Sequence, residues 1–334
     1  MHTMKLRSTL LALILAAIQS GALLCSATAQ AQTRAWPERP VKLIVPGPPG
    51  SAPDSMARLL GNKLGEVWGQ PVTVENITGA SGNIGTDRVA KAPADGYTLL
   101  YNTIGPIAVN VTLFAGKLPY DPLKDLTPVS LVVKVPNILT VHPGLPYRSV
   151  KDVIDAAKKE PGKIRYATAG PGTTQHLSGE LLNTLMGIQM NGIPYKSSAQ
   201  MTTDGIGGQF EVMFHNAPVV LPHIKAGSLR ALAITSAKRS ASAPDLPTMV
   251  EAGVNGFEVT AWFGVMAPGG TPAAIVQKIS SDVARLVATP ELQKRIQDDA
   301  SEPVGSNPES YAAFIRTEIA KWSHVVKTAN MKPE

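Results

Sequence analysis

Short apolar runs alternate with longer amphipathic stretches along most of the chain. The apolar runs predict strands over 41–45, 72–75, 98–101, 128–133, 138–141, 164–168, 212–214, 231–235 and 263–267. The amphipathic stretches predict helices over 55–66, 84–90, 150–160, 176–186, 201–206, 219–226, 272–288, 290–298 and 308–327. Alternation of this kind is typical of an α/β architecture with mainly parallel sheets.

Residues at the ends of the predicted helices support these boundaries. Ser149 and Thr271 are expected N-caps, because a hydroxyl can accept a bond from a free N–H of the first turn. Pro161-Gly162 and Gly227 are expected to end helices.

Two segments repeat one design, in which an apolar strand runs into a glycine-containing loop that opens a helix. The first spans 42–54 and the second spans 164–176. Helix N-termini expose unpaired N–H groups and carry partial positive charge. Two of them facing one cleft would suit a small carboxylate, so the design predicts binding without an obvious catalyst.

The N-terminus has the pattern of a secretory signal peptide. Lys5 and Arg7 precede an apolar run over 10–24, and small residues follow up to Ala31. We expect cleavage near Ala31. The single cysteine, Cys25, lies before that point, so the sequence predicts an exported, soluble protein without disulfides.

Length and charge narrow the function further. The formal net charge of the chain is +6, and it is scattered rather than clustered with aromatic residues. Nucleic-acid binding is therefore not expected. About 300 residues after cleavage exceed what one compact core usually holds, so we expect two domains.

The order of the elements predicts a discontinuous domain. The first strand–loop–helix unit is early and the second lies in the middle, while the late helices lack such a loop. We therefore assign 1–31 to the signal peptide, 32–133 with 256–334 to lobe 1, and 134–255 to an inserted lobe 2. Two strands crossing between the lobes, near 132–136 and 251–260, would form a hinge beside a cleft.

Several short strings, read in order along the chain, form a more specific pattern. Each string is weak alone, but together they cover nearly the whole mature chain. They are Trp36-Pro37-Glu38-Arg39-Pro40-Val41, Val45-Pro46-Gly47-Pro48-Pro49-Gly50, Gly69-Gln70-Pro71-Val72, Gly82-Asn83-Ile84-Gly85, Ala94-Asp95-Gly96-Tyr97-Thr98-Leu99, Leu118-Pro119-Tyr120-Asp121-Pro122, Pro194-Tyr195-Lys196, Leu221-Pro222-His223-Ile224-Lys225-Ala226-Gly227, Pro244-Asp245-Leu246-Pro247-Thr248 and Ala261-Trp262-Phe263-Gly264.

These strings together resemble the Bug family of extracytoplasmic solute receptors of tripartite tricarboxylate transporters. The resemblance implies a two-lobed periplasmic binding protein, type II-like, that encloses a small carboxylate. It implies a periplasmic monomer without cofactor or metal, which delivers its ligand to the membrane subunits of a tripartite transporter. Carried over by motif, the ligand-binding residues of the first loop are Pro49, Gly50, Ser51, Ala52 and Asp54. Those of the second loop are Gly172, Thr173, Thr174 and His176.

For most of these residues a second role stays open. The hydroxyls of Ser51, Thr173 and Thr174 either contact a carboxylate or only cap helices. Asp54 would repel a carboxylate, so it is expected to complement the helix dipole instead. His176 either donates into the cleft or fixes its loop.

Residues outside the two loops complete the candidate site. Asn102-Thr103 follows a strand end, where open α/β sheets place ligands, or forms a plain turn. Tyr195 either walls the pocket or packs between the lobes. His215 replaces the aspartate that the family commonly has between Phe214 and Asn216. Because histidine supplies no fixed negative charge and can become positive, we expect it to disfavour amino acids as ligands.

An enzyme is the weaker interpretation. The chain lacks the Gly-x-Ser-x-Gly elbow, a cysteine after the signal peptide and histidine spacing typical of a metal site. A second binding role stays open, in which the protein reports its ligand to a sensor kinase without serving transport.

Overall fold

Ten strands form one mixed sheet in the computed structural model, which describes residues 36–333. The predicted signal peptide lies outside these residues. The strand order is β2-β1-β3-β9-β4-β7-β5-β6, and β8 and β10 pair with β4. The strands are β1 (Val41–Val45), β2 (Val72–Asn76), β3 (Thr98–Asn102), β4 (Leu126–Val141), β5 (Arg165–Thr168), β6 (Asn191–Pro194), β7 (Val212–Asn216), β8 (Arg230–Ile234), β9 (Thr260–Pro268) and β10 (Glu302–Pro303).

The sheet is parallel towards both ends and antiparallel in the middle. Strand β1 pairs in parallel with β2 and β3, and β5 pairs in parallel with β6 and β7. Strands β4 and β9 run against their neighbours. The two parallel groups that the sequence predicts are therefore present, joined by antiparallel strands that the sequence pattern did not reveal.

Strand β4 is one continuous element, where the sequence pattern predicted two strands and a crossing near 132–136. Proline cannot donate to a ladder, so its place within a strand depends on the partners beside it. Pro136 is instead the last β4 residue paired with β9, and Asn137 is the first paired with β7. The missing N–H falls where β4 changes partners, so the strand continues through it.

The helices agree with the predictions to within a few residues at each end. They are α1 (Ala52–Trp68), α2 (Asn83–Ala90), α3 (Asn110–Leu113), α4 (Val150–Lys159), α5 (Thr174–Met186), α6 (Ser198–Ile206), α7 (Ala217–Lys225), α8 (Ala273–Val287), α9 (Pro290–Asp298) and α10 (Pro308–Thr328).

Ser149 caps α4 in a complete capping box, as predicted, whereas Pro272 rather than Thr271 occupies the N-cap of α8. The Thr271 hydroxyl donates to the carbonyl oxygen of Pro268 instead, at 2.8 Å. The sequence pattern also missed a single π-helical turn, Gly105–Val109, which runs into α3. No helix within residues 36–333 is long and apolar enough to cross a membrane.

Buried side chains form a large cluster that spans much of the sheet and a smaller one around Met201 and Met213. In the large cluster, the indole N–H groups of Trp262 and Trp322 both donate to Glu318 Oε2, at 2.8 Å each. These bonds satisfy a buried carboxylate and fix α10 against β9. Helix α10 also packs against the π turn and β4.

Candidate functional site

Four backbone segments converge beyond the carboxyl end of β1. They are the first loop (residues 46–54), a tight turn (79–83), the start of the π turn (105–110) and the second loop (170–176). A methyl group on Gly82 would lie 2.9 Å from the carbonyl oxygen of Pro46, and one on Gly105 would lie 3.3 Å from that of Gly172. Such approaches leave no room for side chains. The two loops singled out from the sequence are therefore close neighbours of a common centre.

The first loop is held by bonds among its own residues. The Gly50 N–H donates to Asp54 Oδ2 at 2.9 Å, and Arg58 Nη2 lies 3.0 Å from Asp54 Oδ1. Burial acts to raise the pKa of Asp54, but the bonds from Gly50 and Arg58 outweigh it and hold that pKa below its ordinary value. Asp54 thus shapes its loop.

The remaining predicted residues of the first loop surround this bond. The Ser51 hydroxyl donates to the carbonyl oxygen of Pro48 at 2.7 Å and makes no capping bond to α1. Pro49 is exposed and Ala52 is buried at the first position of α1.

The second loop uses its hydroxyls differently. Thr173 is the N-cap of α5: its Oγ1 accepts from the His176 N–H at 3.5 Å and donates to the Gly170 carbonyl oxygen at 2.7 Å. His176 lies in the first turn of α5, with Nε2 4.0 Å from Glu180 Oε1. The capping role left open for Thr173 is present, and the one left open for Ser51 is absent.

Asn137 is the main polar residue of the site that the sequence reasoning missed. It is fully buried on β4, and its side chain donates to Ser178 Oγ at 3.1 Å. Its Oδ1 accepts from Asn216 Nδ2 at 2.9 Å and from the Thr174 hydroxyl at 3.4 Å. Asn137 therefore ties the second loop to β4, the central strand of the sheet.

The tight turn at 79–83 has an unusual backbone. Ala80 and Ser81 have φ angles of 46° and 55°, a region that non-glycine residues rarely occupy. Asn110, which follows β3 along the chain, makes two bonds to this turn. Its Nδ2 donates to the Ser81 carbonyl oxygen at 3.1 Å and to Asn83 Oδ1 at 2.7 Å. These bonds hold the turn in a strained form, as is common where a backbone is shaped for a ligand.

Two predicted residues outside the loops lie at the end of β3. Asn102 is buried and accepts a bond from the Tyr311 hydroxyl at 2.6 Å, which fixes it to α10. Thr103 is partly exposed at the entry to the π turn.

Tyr195 follows β6, and its N–H donates to the carbonyl oxygen of Thr168, at the end of β5 before the second loop, at 2.8 Å. Its hydroxyl donates to Asp204 Oδ2 at 3.0 Å, and its ring stands edge-on to Phe210. The side chain thus packs beside α6 rather than between the lobes, and its place at the wall of the pocket stays a prediction.

His215 is a buried, neutral side chain. Its Nε2 lies 2.9 Å from the Ser198 hydroxyl at the start of α6. The pKa of His215 is lowered to about 4, mainly by burial. The bond to Ser198 acts to raise this pKa, and the nearby His223 acts to lower it. His215 is therefore neutral at neutral pH and supplies neither charge to a ligand, and its effect on amino-acid binding stays a prediction.

A cavity of about 440 Å³ adjoins the first loop. Gly50 and Ala52 line it on one side and Pro218 and Val219, at the start of α7, on the other. Within residues 36–333, no group of three or more histidine or acidic side chains is arranged to hold a metal ion.

Comparison with known proteins places the chain in a family. Residues 56–331 match the family described as tripartite tricarboxylate transporter family receptor. Protein BugT of Bordetella pertussis is 40% identical over 298 residues, which are 89% of this chain and 91% of BugT.

Solved structures give the same picture. The R. palustris protein Rpa4515, solved with adipate, is 40% identical with a TM-score of 0.85 and covers 90% of this chain and 100% of its own. The periplasmic binding protein BugD is 34% identical with a TM-score of 0.82, covering 90% and 100%. MatC from Rhodopseudomonas palustris, solved with malate, is 32% identical with a TM-score of 0.79, covering 87% and 100%. These relatives are binding proteins rather than enzymes, and the chain belongs to the tripartite tricarboxylate transporter receptor family as a two-lobed solute-binding receptor.

Proposed function

We propose that this receptor captures a small carboxylate between its first and second loops and presents it to the membrane subunits of a tripartite transporter. The observation that carries the proposal is the convergence of two helix-opening loops, one at the start of α1 and one at the start of α5, on one centre. Backbone N–H groups at both helix starts favour an anion there. Malate and adipate in two relatives are carboxylates of the size such a centre would hold.

In this proposal the residues of the two loops have separate tasks. Pro49, Gly50, Ser51 and Ala52 present backbone groups to the ligand from lobe 1, while Asp54 keeps the loop in shape. Gly172, Thr173, Thr174 and His176 present the matching groups from lobe 2. Asn102, Thr103, Tyr195 and His215 support these segments from behind, because each is engaged with, or leads into, neighbouring elements.

Capture requires that the two lobes move. We propose lobe 1 as 32–133 with 256–334 and lobe 2 as 134–255, with β4 and β9 between them. A ligand that touches both loops favours the closed form, because it makes more contacts there than in an open form. The protein acts as a monomer in the periplasm, after cleavage of the signal peptide near Ala31.

A thermal-shift screen against mono-, di- and tricarboxylates, amino acids and aromatic acids tests the ligand class. A ligand at 100 times its Kd adds about 2.7 kcal/mol to the free energy of unfolding, enough to raise Tm by several degrees. Silence for every carboxylate would overturn the proposal.

Two charge variants then test the loops, each against a matched control. Gly50→Asp places a negative charge in the first loop, and Gly227→Asp places one at a glycine with the same φ of 74° and equally open surroundings. Thr173→Asp and Thr289→Asp both replace a capping threonine by a residue that also caps well. We expect loss of carboxylate binding at 50 and 173 only. Unchanged affinity at either position would remove that loop from the site.

A further inference from the structure

The cavity beside the first loop extends away from the convergence of the two loops. The start of α1 and the start of α7 form two of its sides, and the last turn of α9 closes a third. Gly50 and Ala52 belong to both the proposed carboxylate site and the wall of the cavity. A ligand held by its carboxylate at the first loop can therefore place the rest of its length in the cavity.

Most of the side chains that line the cavity are apolar. Met56 and Leu59 come from α1, Val135 from β4, Val219 from α7 and Phe263 from β9. At about 440 Å³ the cavity is of the size that small-molecule sites have. Ser55 contributes the one hydroxyl among the lining side chains. Walls of this composition favour a hydrocarbon chain over a polyhydroxylated one, because they offer few partners to buried polar groups.

Arg295 and Asp299, both near the end of α9, are the charged residues among the lining side chains. Arg295 Nε lies 3.6 Å from Asp299 Oδ2, an ion pair one helical turn apart. Among the described residues this is the one ion pair of the guanidinium, and none of its N–H groups makes a hydrogen bond to protein. Asp299 thus holds Arg295 by the Nε side and leaves both Nη atoms available.

A guanidinium with both Nη atoms available matches the two oxygens of a carboxylate, which it binds through parallel N–H bonds. Asp299 is less suited to contact the ligand. Its side chain is 23% exposed, whereas that of Arg295 is 66% exposed, so the cation is the more accessible member of the pair.

We propose that Arg295 binds a second carboxylate at the far end of the ligand, with Asp299 as the residue that positions the guanidinium. The preferred ligand class is then an α,ω-dicarboxylic acid with an apolar chain between its ends. This inference rests on the proposed function, since the first carboxylate is the one held by the two loops.

Calorimetry with three ligands of one chain length tests the inference. Adipate carries two carboxylates, hexanoate lacks the second, and ω-aminohexanoate replaces it by an ammonium. We expect Arg295→Gln to weaken adipate binding at least about tenfold and to leave hexanoate binding unchanged, because a bond to a charged group is lost for adipate alone.

Lys294→Gln is the matched control. It removes a neighbouring, exposed cation of the same helix, which pairs with Asp298 and does not line the cavity. Arg295→Lys keeps the charge but loses the fork, and we expect an intermediate affinity for adipate. Asp299→Asn keeps the volume of Asp299, and we expect weaker adipate binding with hexanoate again unaffected.

Three outcomes would overturn the inference. The first is an equal effect of Arg295→Gln and Lys294→Gln on adipate, which would indicate a general charge effect. The second is an equal loss for adipate and hexanoate, which would assign Arg295 to closure of the lobes. The third is tighter binding of ω-aminohexanoate than of adipate, which would make Asp299 the contact.

The proposed function and this inference fail in distinguishable ways. If the wild-type protein binds no carboxylate in the screen, the proposed function fails. If it binds carboxylates but discriminates against every diacid from succinate to suberate, the proposed function stands and the assignment of Arg295 is wrong.

Discussion

The two loops that open α1 and α5 share one order of strand, glycine loop and helix, but different chemistry holds them. The first is closed by a charged pair, in which Asp54 accepts the Gly50 N–H and faces Arg58. The second is closed by the uncharged hydroxyl of Thr173 and is tied through Thr174 to the buried Asn137. The first loop is therefore held mainly by α1, with one bond from Asn76 of β2 to Gly47, whereas the second is tied to β4.

The largest expected effect comes from cutting that support. Asn137→Ala removes three side-chain bonds and leaves buried groups of Ser178 and Asn216 without partners. We expect the free energy of unfolding to fall by about 3–4 kcal/mol in urea denaturation, since each unsatisfied buried group costs about 1–3 kcal/mol. Asn76→Ala cuts a bond to Gly47 of the first loop and an exposed bond from Arg58, and it should cost about 1–2 kcal/mol. Equal losses would mean that the two loops are supported alike.

Lowering the pH should affect the stability contributions of His215 and Asp54 in different pH ranges. The pKa of His215 in the folded protein is about 4, below its ordinary 6.5. The unfolded chain therefore takes up the proton first, and stability is lost as the pH falls from about 6.5 towards 4, by about 3 kcal/mol at about 1.4 kcal/mol per pH unit. Asp54 behaves differently, because its pKa lies below its ordinary 3.8 and its contribution is lost only below about pH 4.

Urea denaturation at a series of pH values checks this. His215→Gln should flatten the slope of stability between pH 6.5 and 4, and His324→Gln, at an exposed position of α10, should leave it as in the wild type. A wild-type slope in His215→Gln would show that another group is responsible.

The glycines of the two loops differ in the space around them. Gly50 and Gly172 have φ angles of 74° and 78°, but a methyl group on Gly50 meets nothing within 4 Å, while one on Gly172 lies 2.8 Å from Asn110 Oδ1. Gly50→Ala should cost about 1 kcal/mol of unfolding free energy from backbone strain alone. Gly172→Ala should cost about 2–3 kcal/mol because crowding is added. Thermal and urea melts of the pair would contradict this if the two losses matched.

The smallest effect concerns the caps. Thr173→Ala removes a capping bond to the His176 N–H and should cost about 1 kcal/mol in a urea melt. Ser51→Ala occupies the equivalent place in the first loop, where no capping bond exists, so a few tenths of a kcal/mol are expected. A larger loss for Ser51→Ala would mean that its bond to Pro48 carries the first loop.

Local patterns predicted most helices of the fold, because their ends carry proline, glycine and capping residues. Helix α9 begins at Pro290 and ends at Asp298, as predicted from such signals. Strand β6 was missed because Asn191–Pro194 contains glycine and proline and is largely exposed, so no alternation marks it. The continuity of β4 was missed because a proline in a strand is tolerated only in a context of partners that sequence does not display.

The two loops of the candidate site were predicted from the sequence, but the residue that supports the second loop was not. The loops were found because a strand running into glycine and then a helix has a local signature. Asn137 was not found, since the partners of its side chain come from two distant elements, α5 and β7, that meet β4 there. One signal was present in the sequence. Asn137 stands between two apolar runs, and an asparagine buried there is costly unless its amide group has partners.

The contact between Gly105 and Gly172 joins two backbones from distant parts of the chain with no side chain between them. Substitutions at these two positions are therefore constrained by the close approach of the two segments. A side chain gained at Gly105 requires the second loop to give by a few tenths of an ångström, and one gained at Gly172 collides with the Asn110 side chain at the start of α3. Lineages of this receptor are thus expected to reshape the pocket by exchanging lining side chains, while this backbone contact passes unchanged between receptors for different ligands.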